Sequence, residues 1–132
     1  MTSEKLDVLF TQEKLEELFP AERADQFFDA LFGDAAEGAY DISLQFKKHI
    51  PERQLLQLEL HLRERPGKCL ACNLTYGLPE VFSRHPIINI KGLVENIERH
   101  LAGRASCASW QLGETQSVSK SLHVIPLTIT LN

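Results

Sequence analysis

The sequence predicts an α+β fold: a two-layer domain whose antiparallel five-stranded sheet carries helices on one face, in the order α-βββ-α-ββ. Two observations carry this expectation. Apolar residues follow helical spacing in the first third, alternate through the middle, return to helical spacing after Ile90, and alternate again to the end. The alternating segments are joined by short connections, which suit antiparallel pairing rather than helical crossovers. A chain of 132 residues is the usual size of one domain, taken here as 1–132.

The first helix is announced by Thr11, a good N-cap before Gln12, with Phe10 and Leu15 at the two positions of a hydrophobic staple. Pro20 suits the first turn of a second helical piece. Ala24, Phe27, Phe28 and Leu31 form its apolar stripe, and Gly33 stands where a left-handed cap residue belongs. The stretch GDAAEG reads as a loop.

Tyr40, Ile42, Leu44 and Phe46 then alternate with Asp41, Ser43, Gln45 and Lys47, the pattern of a half-buried strand. HIPER interrupts it. Leu56, Leu58, Leu60 and Leu62 alternate with Gln57, Glu59, His61 and Arg63 in a second strand. After Arg65-Pro66-Gly67 a third strand is expected, with Leu70, Cys72, Leu74 and Tyr76 on one face and Cys69, Ala71, Asn73 and Thr75 on the other. As a hairpin it would set Leu62 against Leu70, Leu60 against Cys72, Leu58 against Leu74 and Leu56 against Tyr76.

GLPEVFSRHP reads as a loop with one short helical turn. Asn89 is an N-cap candidate, with Ile88 and Leu93 as a second staple, and Ile90, Leu93, Val94, Ile97 and Leu101 make an apolar stripe closed by Gly103. Two further strands are expected, over residues 105–112 and 122–131. Pro126 marks the last one as an edge strand or as bulged, because proline cannot donate to a ladder.

This element order resembles that of small, acidic, often dimeric proteins that include the type III secretion chaperones. The resemblance rests on element order alone, and that family's final helix has no counterpart in residues 1–132. It implies a non-enzymatic, homodimeric module that binds or assembles another protein.

Composition narrows the functional classes. Hydrophobic residues make up 43% and charged residues 24%, an ordinary globular balance. A net charge of −4 disfavours nucleic acid, which needs a basic face. MTSEKLDVLF lacks the basic and apolar regions of a signal peptide, and no apolar run approaches the roughly 20 residues of a membrane span. Three cysteines, an odd number, fit a reducing compartment better than a disulfide framework. A cytoplasmic protein without membrane contact or cofactor is therefore expected.

Cys69-x-x-Cys72 is the sole short motif with chemical associations. Strand alternation sends the two thiols to opposite faces, so they would neither chelate one ion nor form a disulfide. Cys72 reads as core. Cys69, by the same alternation, shares a polar face with His61 and, from the pattern Ala108, Trp110, Leu112, with Cys107. Two thiols and an imidazole are a possible three-ligand metal or small-molecule site. His85, in the loop before Pro86, is the one candidate general base, set against a capping or surface role. No catalytic motif accompanies it, so catalytic residues are not assigned. A surplus of large apolar side chains, Phe27, Phe28, Leu31 and Phe32, is the candidate partner-binding and self-association surface.

Overall fold

The computed structural model describes residues 9–34, 36, 38–68, 78–101, 103 and 105–132; the side chains of residues 31, 32 and 78–80 lie outside that description. Helices α1 (Gln12–Leu18) and α2 (Glu22–Phe32) precede the hairpin of β1 (Tyr40–Ile50) and β2 (Leu55–Glu64). Helices α3 (Leu78–Arg84) and α4 (Ile90–Leu101) follow, then β3 (Cys107–Leu112), β4 (Gln116–Ser119) and β5 (Leu122–Leu131). The fold is α+β with an antiparallel sheet, as the periodicity predicts, and five of its strands lie among the described residues.

Local signals place the helix ends. Thr11 Oγ1 accepts the Lys14 N–H at 3.2 Å, and the staple residues Phe10 and Leu15 are both buried. Helix α2 starts at Glu22 rather than at Pro20; the Pro20 carbonyl accepts the Arg23 N–H at 3.0 Å as the chain turns in. Gly33 ends α2 at φ 78° and donates its N–H to the Asp29 carbonyl. Asn89 caps α4, its Oδ1 accepting the Gly92 N–H at 3.1 Å, with Ile88 and Leu93 buried beside it.

The sheet runs β1–β2–β5, with β3 and β4 lying end to end along the far edge of β5. Two backbone bonds fix its phase: Arg65 N–H to the Ala39 carbonyl, and Glu64 N–H to the Ser121 carbonyl. In β2, odd-numbered residues bond to β1 and even-numbered ones to β5. Side-chain rows then cross the sheet without interruption. Leu44, Leu60 and Ile125 form one inner row; Phe46, Leu58, Leu127 and Leu112 form another. These rows, with the buried residues of all four helices, make one core cluster. Leu56, Leu58, Leu60 and Leu62 are wholly buried in it, each worth on the order of 1.5–3 kcal/mol of burial.

Three expectations change. Strand β2 already has β1 on one edge and β5 on the other, so its leucines do not pair with residues 70–76; residues 69–77, including Cys69 and Cys72, lie outside the described residues. A strand at Gln116–Ser119 joins the sheet that alternation did not single out, since its residues are all exposed. Finally, Pro126 sits in the central strand, not an edge. Its missing N–H faces the break between β3 and β4, where Gly113 donates to the Pro126 carbonyl at 2.8 Å. A Cβ at Gly113 would lie 2.9 Å from Pro126 Cγ, so the close approach requires glycine.

Candidate functional site

The core consumes one face of the sheet, and the other face has no described helix packed upon it, because the buried helical residues all belong to the inner cluster. Its rows are polar. Ser43, His61, Val124 and Gln116 form one, Gln45, Glu59 and Pro126 the next, and Gln57, Thr128 and Gln111 a third. The polar side chains between the two ends are half-buried, as expected for a sheet surface flanked by its own neighbours. Near the centre Glu59 accepts from His61 Nε2 at 3.1 Å and lies 3.6 Å from Lys47 Nζ. Lys47 reaches it because β1 has a bulge between Phe46 and Lys48. Val124 is buried on this face and stands outside the core cluster.

A cleft of about 440 Å³ separates α1 from β1. Glu13, Glu16, Glu17 and Glu22 surround it, and Glu17 is held by Lys14 at 2.7 Å. That ammonium keeps the Glu17 carboxyl below its ordinary range, first by hydrogen bonding and then by charge.

The proposed thiol–imidazole cluster is not assembled by its described members. His61 lies on the outer face opposite Val124, whereas Cys107 lies on the inner face opposite Leu131. The cause is a register shift between Cys107 and Ser109, which turns Cys107 inward while leaving Trp110 and Leu112 on the inner face as well. Cys107 is half-buried against the core, its Sγ 4.0 Å from the Val94 carbonyl. Burial, and next the Glu98 carboxylate, push its thiol up to about 11. No three His, Cys, Asp or Glu side chains among the described residues are grouped to hold a metal.

His85 has a structural role. Its Nδ1 accepts the Ile87 N–H at 3.2 Å, and its ring stands edge-on to Phe27 at 4.8 Å. Phe27 and Phe28 also depart from expectation: they are 2% and 3% exposed, packed against Phe82 and Tyr40 respectively. Helix α2 uses both rings to close the core, which leaves neither for a partner. The side chains of Leu31 and Phe32 lie outside the described residues.

Alternation does not reveal Arg65, which the turn Arg65-Pro66-Gly67 disguises as a loop residue. It bonds Asp25 of α2 at 2.7 Å and Asp41 of β1 at 3.0 Å, with its guanidinium over the Phe28 ring. No helix among the described residues is long and apolar enough to cross a membrane. No protein-family model, curated protein or solved structure matches this chain.

Proposed function

We propose that the protein is a non-enzymatic binding module of the assembly or chaperone type, and that it engages a protein partner through the sheet face on which no described helix packs. The observation that carries this reading is the set of polar rows crossing the strands outside the core. Such a surface is broad and offers both donors and acceptors, from Gln45, Gln57, His61, Gln111 and Thr128. Small molecules favour concave, mostly apolar cavities, so a largely polar sheet face suits a macromolecular surface better. A metal or small-molecule site at Cys69, Cys107 and His61 draws no support from the described geometry, which separates the last two across the sheet.

A photoreactive residue placed at Gln57 or Thr128 in cells tests the proposal. The same discrete protein adduct is expected from both positions and none from Glu95, which is exposed on α4. Adducts of equal yield at all three positions, or none at any, would contradict it.

A further inference from the structure

The two edges of the sheet are protected differently. Along β1, Tyr40, Ile42 and Leu44 are at most 3% exposed, and the far half of the strand carries a bulge with exposed Lys47 and Lys48. Bulges and lysines of this kind discourage edge pairing. Strand β4 is the reverse: all four residues are exposed, none is charged, and Val118 is 63% exposed.

The direction of its backbone groups follows from the ladder. Ser121, just before β5, and Leu131 at its end bond to the β2 side, so Val124 and the other even-numbered residues of β5 face β3 and β4. Gln116, opposite Val124, is thus bonded to β5, and the N–H and C=O of the next residue, Ser117, point away from the sheet. The nearest charges on this segment are Glu114 and Lys120, equally spaced on either side of Ser117. Both are exposed, and neither forms an ion pair with another described residue.

We propose that β4 is a self-association edge, on which a second copy of this chain pairs antiparallel about a two-fold axis at Ser117. In that register Ser117 exchanges two backbone hydrogen bonds with its own counterpart. Val118 lies across from Gln116, and just beyond the paired residues Glu114 of each copy is brought toward Lys120 of the other. The charge pattern is therefore self-complementary for antiparallel pairing, whereas a parallel register would set like charges side by side. The register shift at Ser117/Ser119 and the break at residues 113–115 limit pairing to a few residues. The product is a closed, concentration-dependent dimer, not an extending sheet. This goes beyond the binding-module reading and uses a separate surface, so either can fail without the other.

Sedimentation equilibrium on the full chain tests it. Wild type should shift from monomer to dimer mass with increasing concentration, and high salt should weaken the shift. Ser117→Pro should abolish it while leaving the thermal midpoint in place, since that N–H does not bond to β5. Independently of that variant, Glu114→Lys and Lys120→Glu should each raise the dissociation constant roughly tenfold, and the two together should restore it. Ser117→Cys should form an intermolecular disulfide mapped to residue 117. A wild-type monomer at all concentrations, a dimer indifferent to Ser117→Pro, or a monomer that binds only an unrelated extended peptide would overturn the proposal.

Discussion

Glu98 and Cys107 are joined across the layers: the Glu98 carboxylate on α4 accepts the backbone N–H of Cys107, the first residue of β3, at 2.6 Å. This bond anchors the strand exactly where its register shifts and where the thiol turns toward the core. It also sets a negative charge beside a half-buried sulfur, so one side chain holds the strand and opposes thiolate formation.

Alkylation of Cys107 should therefore be slow at neutral pH and should accelerate up to about pH 11. Peptide mapping after timed iodoacetamide labelling separates this cysteine from the other two. Because the folded-state pKa is raised, the folded protein keeps a proton that the unfolded chain releases above about 9. Stability contributed by this group is thus present below that pH and declines toward pH 11. Fast labelling of Cys107 at neutral pH would contradict the assignment.

Glu98→Ala should destabilise the fold by about 1 kcal/mol, through the loss of a partner for a partly buried N–H. Glu98→Gln retains an acceptor and should cost less, while lowering the Cys107 thiol pKa by removing the charge. Urea unfolding and pH-dependent labelling on the same variants separate the two effects.

The close contact between Gly113 and Pro126 predicts a coupled pair. Gly113→Ala alone should cost roughly 1–3 kcal/mol by overpacking, since its Cβ would meet Pro126 Cγ at 2.9 Å. Adding Pro126→Ala should recover much of that cost. Additive free energies in a double-mutant cycle would mean that the two residues do not meet.

Arg65 predicts a different kind of coupling. Its side chain is 15% exposed while Asp25 and Asp41 are 57% and 67% exposed, so each ion pair is screened by water. Asp25→Asn or Asp41→Asn should cost no more than about 1 kcal/mol. Arg65→Ala should cost more than either, because it also removes the packing over Phe28. Thermal unfolding of the three variants gives the ranking.

Much of the architecture is legible in residue order because one face of each long strand is buried. Leu56 to Leu62 declare their face by alternation, and Thr11, Gly33 and Asn89 declare helix ends by their own chemistry. Strand neighbours are not encoded in this local way. Nothing adjacent to Leu60 states that Ile125 rather than Cys72 lies beside it, so the expected hairpin partner gave way to a distant one. Pro126 misled for a related reason, since the broken strand that accommodates it is remote in sequence. Alternation alone puts Cys107 on the wrong face, because one residue of register shift reverses every side chain before it. The candidate site was less legible than the core: Phe27 and Phe28 have a composition that suits a binding surface equally well, and only tertiary packing shows that they are buried.

Whether the polar sheet face holds a protein partner is read out by an affinity. With the partner identified by cross-linking from Gln57, titration calorimetry should compare wild type with Thr128→Arg, a change in the middle of that face. At least roughly tenfold weaker binding is expected, with a thermal midpoint close to wild type because Thr128 lies on the outer face opposite Gln57. Unchanged affinity for a partner captured through this face would contradict it.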